Sequence, residues 1–400
     1  MTEQLTRRDA LVAALAVTAL GGQALARPRL ARAAAVTTIG VILPLSKPAD
    51  SVAGTNILNS ARLWVEWVNS TGGVGGQHVA IKAYDSHAEP NRAVASLVRA
   101  VTKDGCVVIL GGWDSPVATA EITAAHKQRV PMFVAYAWSQ NITEANFPEV
   151  VRIGPNNDIL SNAFAPFMQK RGYTQIGLLA EDTAFGQGEG GAIRATATLA
   201  NIDVMAQTYK RETHDLRPVL RKILPAKPDA LVLASSEAPA LYLGVTQARA
   251  AGFKGDILLG WDYVDAAFWK AAGKQGVGVI WPTFSAPTGD YTAVGQTFTR
   301  LFKKKYKHAP LVYQAFTWDQ LNAWKWVVET VGSPAPADVI PALPRIDIEG
   351  TLGRITLSNK PGTVHFNQWD GVTVYFDQAT KKGAIDGTAK LVARIRGQTP

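Results

Sequence analysis

Three apolar runs in this 400-residue chain stop at a tryptophan that is followed at once by a polar side chain. Cys106–Gly112 leads into Trp113-Asp114-Ser115, Pro131–Ala137 into Trp138-Ser139, and Asp256–Gly260 into Trp261-Asp262. Indole rings beside carboxylates and hydroxyls suit recognition: flat apolar walls hold a small molecule while a few polar groups fix its orientation. Turnover is harder to build from the same residues. A hydrolase using Ser115 or Ser139 needs a base, and no histidine stands at a strand end beside either serine. The single cysteine, Cys106, rules out an intrachain disulfide and opens an apolar run, the setting of an inert buried thiol. The six histidines show no metal-ligand spacing, so neither metal nor cofactor is expected. Gly186-Gln-Gly188-Glu-Gly-Gly191 has dinucleotide spacing, but Glu181–Phe185 separate it from the preceding strand, and Glu181 and Asp182 would repel a pyrophosphate.

The elements that must position these residues alternate regularly. Short apolar runs bounded by glycine and polar residues read as buried parallel strands, and in open α/β sheets ligands lie just beyond the strands' carboxyl ends. Strands are expected at 39–43, 78–84, 107–110 and 131–135, with helices at 56–69, 89–103 and 116–127 between them. After Ile153-Gly154-Pro155 the pattern restarts: helices near 158–170, 188–200, 215–223 and 238–251 separate strands near 175–180, 202–209, 230–234 and 257–259. Helices at 291–306 and 314–331, a short helix at 338–343, and strands at 353–355, 364–366 and 372–376 follow. Such alternation gives doubly wound parallel sheets with right-handed crossovers, here in two lobes.

The formal charge is +9, of which residues 1–35 supply +3, from Arg7, Arg8, Arg27, Arg29 and Arg32 against Glu3 and Asp9. The rest is spread out, and Lys303-Lys-Lys305-Tyr-Lys307-His308 reads as a solvated helix end suited to the helix dipole, so no nucleic-acid partner is expected. Arg7-Arg8 followed by the short apolar stretch Val12–Leu20 and small residues reads as an export signal of twin-arginine type over 1–35. No later stretch is long and apolar enough for a bilayer, so the expected mature protein is soluble, periplasmic and monomeric.

Leu43-Pro-Leu-Ser46, Asn69-Ser-Thr-Gly72-Gly73-Val-Gly-Gly76, Tyr84-Asp85 with Pro90, Gly111 to Ser115, Glu181-Asp182 with Phe185-Gly186, Gln247-Ala-Arg-Ala-Ala-Gly252-Phe253 and Gly260-Trp261-Asp262 occur in this order. Together they resemble the periplasmic solute-binding proteins of branched-chain amino-acid type ABC importers, over residues 37–380. The resemblance implies the type I periplasmic binding protein fold, two parallel-sheet lobes joined by a three-segment hinge. It implies a first lobe of 36–153 plus 283–345, a second of 154–282 plus 346–385, and a polar tail over 386–400. The crossings fall near Gly154-Pro155, Trp281-Pro282 and Pro344–Gly350.

The resemblance also implies a non-enzymatic role: holding an amino acid, a small amide or an aromatic acid in the inter-lobe cleft for a membrane permease. A sensor for small amides or aromatic carboxylates remains the alternative. Ser115 with Ala137, Trp138 and Ser139 corresponds to the stretch that holds a ligand carboxylate, at a helix start whose free N–H groups favour an anion. Asp262 corresponds to the acid that receives an ammonium. Glu237 replaces a usual aromatic, while Phe185, Tyr313 and Trp113 correspond to cleft walls.

Overall fold

The structure, a computed structural model, describes residues 36–47, 50–235 and 238–396. The export-signal reading of 1–35 and the candidate Glu237 lie outside the described residues.

The first lobe begins with β1 (Val36–Leu43), α1 (Ser51–Ser70), β2 (His78–Asp85), α2 (Pro90–Thr102) and β3 (Cys106–Gly111). It continues with α3 (Ser115–Gln128), β4 (Met132–Val134), α4 (Asn141–Glu144) and β5 (Val150–Val151). The five strands form one all-parallel sheet in the order β2-β1-β3-β4-β5. Helix α1 starts where the Asp50 carboxylate accepts the Ala53 N–H at 3.0 Å, and it buries Ile57, Ala61, Trp64 and Val68 at helical spacing.

The second lobe runs through α5 (Asn157–Arg171), β6 (Gln175–Glu181), α6 (Ala184–Leu199), β7 (Asp203–Tyr209), α7 (Arg217–Ile223) and β8 (Ala230–Ala234). Then come α8 (Ala238–Ala250), β9 (Asp256–Leu259), α9 (Ala266–Ala272) and β10 (Val279–Thr283). Its parallel part has the order β7-β6-β8-β9-β10, the same winding as the first sheet. In both, the strand order reverses at a central switch point, which is where such sheets open a crevice at their carboxyl ends.

The chain then returns to the first lobe in α10 (Ala293–Tyr306), α11 (Val312–Val331) and α12 (Pro336–Val339). Helix α11 is buried on nearly all sides, and several of its polar side chains reach partners inside. Gln320 donates to the carbonyls of Val134 at 2.9 Å and Ile153 at 3.0 Å, and Asp319 accepts from the Thr351 N–H at 2.8 Å. The antiparallel pair β11 (Asp347–Gly350) and β12 (Gly353–Thr356) packs on α11, so the third crossing does not fall at 344–350.

Next, β13 (Ser358–Asn359) pairs with β14 (Phe366–Gln368), which bridges to Arg152, and the return to the second sheet comes only after Gln368. There β15 (Thr373–Gln378) and β16 (Lys390–Arg396) add antiparallel strands beyond β10. The expectation of a polar tail from 386 is therefore corrected at 390–396. Edge strands carry charged residues readily, and polarity alone does not exclude pairing.

Candidate functional site

A cavity of about 1250 Å³ opens between the lobes at the carboxyl ends of both sheets. From the first lobe it is lined by Trp113 beyond β3, Tyr136 beyond β4, and Tyr313 in α11. From the second lobe come Trp261 and Asp262 beyond β9, and Asp386 in the turn before β16. The chain can bend from β3 into the Trp113 loop because Gly112 takes φ +78°, where a Cβ would also lie 2.8 Å from that of Ala118.

The aromatic walls form one connected cluster. Trp113 stacks on Tyr136 with centroids 5.4 Å apart and meets Tyr313 edge-on at 5.3 Å. Tyr136 also touches Tyr313 at 5.6 Å and Trp261 at 6.2 Å. Trp138 lies edge-on against Trp261, so rings from the two lobes are in direct contact. Tyr136 is thus the hub, buried at 6% exposure, and it is not among the sequence-derived candidates. The missed signal was alternation: Tyr136 and Trp138 pack in the core cluster facing α11, while Ala137 points into the opposite cluster with Met132 and Val134. Tyr313 accepts from the Asn56 side chain at 3.1 Å, and burial pushes its hydroxyl up to about 12.

The polar floor belongs to the second lobe. The Thr283 hydroxyl lies 3.0 Å from Asp262 Oδ2 and 2.7 Å from Asp386 Oδ2, and the Trp281 indole N–H donates to Asp386 Oδ1 at 2.8 Å. Burial first, and then the neighbouring Asp386, push the Asp262 carboxyl well above the usual carboxylate range. Burial together with Asp386 raises Asp377 on β15 to about 6. Asp265, not Asp262, caps α9, accepting from Phe268 N–H at 2.8 Å. Asp262 therefore does not cap this helix.

The remaining candidates sit elsewhere. Ser115 occupies the first turn of α3, where its Oγ accepts the Ser139 N–H at 3.2 Å. The Ser139 carbonyl accepts from Arg152 Nη1 at 2.8 Å. Ser115, Ser139 and Ala137 do not line the cavity, and neither does Phe185, half-buried in the first turn of α6. Trp138 backs the cavity through Trp261 rather than lining it. Arg300, Lys303 and Lys304 of α10 do line it, so part of the basic run expected on a solvated face borders the cleft.

The chain belongs to the periplasmic binding protein family, whose model matches residues 36–384. Among curated relatives, it is 26% identical over 166 residues to a Leu/Ile/Val-binding protein, BraC3, of Rhizobium johnstonii. That alignment covers 41% of this chain and spans under half, 45%, of the relative. Among solved structures, the leucine-binding protein LivK of Thermotoga maritima superposes with a TM-score of 0.75 at 21% identity, covering 90% of this chain and 98% of that one. A solute-binding protein of an ABC transporter from Rhodopseudomonas palustris, in complex with benzoate, superposes at 0.72 and 21% identity, covering 90% and 96%. These likenesses define the fold, two parallel-sheet lobes of the type I class.

Proposed function

We propose that this protein is the extracytoplasmic substrate-binding component of an ABC importer, closing its lobes on a small solute that it hands to a membrane permease. The observation that carries the reading is the cavity itself. It lies at the carboxyl ends of two matched sheets, with Trp113, Tyr136 and Tyr313 contributed by one lobe and Trp261 and Asp262 by the other. Such a site is complete only when the lobes meet, so a ligand binds the closed form more tightly and shifts the population toward it. Closure also excludes water, which strengthens each hydrogen bond to the ligand.

The family match, and relatives named for leucine, isoleucine and benzoate, support a small organic solute. Among these, an amino acid or related amine suits Asp262. Export to the periplasm rests on the leader read from 1–35. Among the described residues, no helix is long and apolar enough to cross a membrane. A thermal-shift screen of amino acids, amines, amides and aromatic acids tests the reading, since a ligand of the folded state raises the melting temperature with its concentration. Uptake of the stabilising solute should then be lost when the gene is deleted. A screen in which no compound stabilises the protein would contradict it.

A further inference from the structure

We infer that the solute's cationic nitrogen enters between Asp262 and Asp386 by displacing a proton that these two carboxyl groups share, so that binding releases a proton. This deepens the reading of the cleft as a solute site and rests on it. The argument starts from Thr283. Its single hydroxyl lies within hydrogen-bond distance of both carboxylates, 3.0 Å from Asp262 and 2.7 Å from Asp386. That oxygen already accepts the Ser285 N–H at 3.0 Å. One hydroxyl has one hydrogen. It can donate to only one of the two acids, so the other contact needs a hydrogen on the second acid or a cation nearby. Two ionised carboxylates at such separation repel strongly when half-buried, and a shared proton relieves this.

The groups facing the pair are Trp281 and Thr283 on β10, Asp377 on β15, Asp265 before α9, Tyr136 beyond β4 and Tyr291 before α10. Among the described residues, neither Asp262 nor Asp386 has an ion-pair partner. The shifts agree in direction, since Asp262 is held above its usual range by burial and by Asp386. The aromatic walls add to the preference, because indole and phenol faces attract a cation. When an ammonium or guanidinium bridges the acids, both ionise, the bound proton passes to solvent, and the charges balance. The lysines and arginine of α10 border the cavity from the other lobe, which suits a carboxylate at the far end of the same solute.

The test uses three matched sets of probes: leucine, phenylalanine and arginine, each with its decarboxylated amine and its deaminated acid. Calorimetry in phosphate and in Tris counts protons, because the observed heat then differs by the buffer's heat of ionisation. The expected result is that nitrogen-bearing members of a set bind, release about one proton, and bind about tenfold more tightly per pH unit over mildly acidic to neutral pH. Asp386→Asn, a same-sized change whose melting curve reports folding, should bind with less proton release and a shallower pH dependence than the native protein. Binding of the nitrogen-bearing members with equal heats in both buffers and a flat pH profile overturns the inference and leaves the cleft reading standing. Binding of the deaminated acids of leucine and phenylalanine, with none of the nitrogen-bearing probes, does the same. If no member of any set binds, the inference and the cleft reading both fall.

Discussion

Glu189 is buried in α6 at 0% exposure, with neither carboxylate oxygen hydrogen-bonded, directly beneath the loop that carries Trp261 and Asp262. A Cβ on Gly260 would lie 2.5 Å from Glu189 Oε1, which shows how closely the loop is laid on this side chain. Burial, and secondarily the charge of Glu181, push its carboxyl up to about 8 from an ordinary 4.5. The folded protein therefore keeps a proton that the unfolded chain has already lost. Stability is fully present below pH 4.5, falls as pH rises, and the loss is complete above about 8. The slope is about 1.4 kcal/mol per pH unit, so the whole interval amounts to about 5 kcal/mol at most. Glu189→Gln removes this titration while keeping the shape of the protonated acid. Urea denaturation followed by circular dichroism between about pH 5 and pH 8 should show the native protein losing stability faster than the variant, which overtakes it at the alkaline end. Parallel pH profiles for the two proteins would refute the reasoning.

Further consequences can be checked in the same way. Asp262→Ala should weaken an amine-bearing ligand about tenfold or more, because a charged hydrogen bond contributes about 1.5–3 kcal/mol; calorimetry reads this, and unchanged affinity would remove Asp262 from the site. Arg152 is fully buried and donates to Gln368 Oε1 at 2.5 Å, to the Ser139 carbonyl at 2.8 Å and to Thr143 at 2.9 Å, at the crossing between the lobes. Arg152→Ala leaves those acceptors unpaired and should cost about 3 kcal/mol or more in denaturant unfolding; a loss below about 1 kcal/mol would show that the crossing does not depend on it. Trp138 and Trp261 meet only because the lobes are together, so ligand should change tryptophan emission in the native protein and much less in Trp261→Phe. Equal changes in both proteins would place the reporting ring elsewhere.

The alternation of strands and helices made both sheets legible, because parallel strands buried on both faces are written as unbroken apolar runs such as Ala230–Ala234. Some helix bounds were close, with α11 starting at Val312 where 314 was expected, but α1 starts at Ser51 and α6 at Ala184, where 56 and 188 were expected. The third crossing was not legible. Residues 347–356 carry a hairpin of which only the second strand was read, at 353–355, and its docking on α11 depends on the buried Asp319–Thr351 contact, 32 residues apart in sequence. At the site, the tryptophans and Asp262 were visible because each ends an apolar run. Asp386 was hidden, since it lies in a polar stretch and reaches Thr283 only through the pairing of β15 with β10. Ser115 and Ser139 were read as ligand-facing, yet the Ser139 N–H donates to the Ser115 hydroxyl oxygen. The spacing that puts two polar groups at neighbouring strand ends also lets them satisfy one another.

The most direct measurement is a crystal structure of the protein grown with whichever probe stabilises it most in the thermal screen. Density for that molecule between Trp113 and Trp261, with its nitrogen within hydrogen-bond reach of Asp262 and both lobes closed on it, is the predicted result. A probe bound outside the inter-lobe cavity, or bound there with its carboxylate against Asp262 and its nitrogen in solvent, would contradict it.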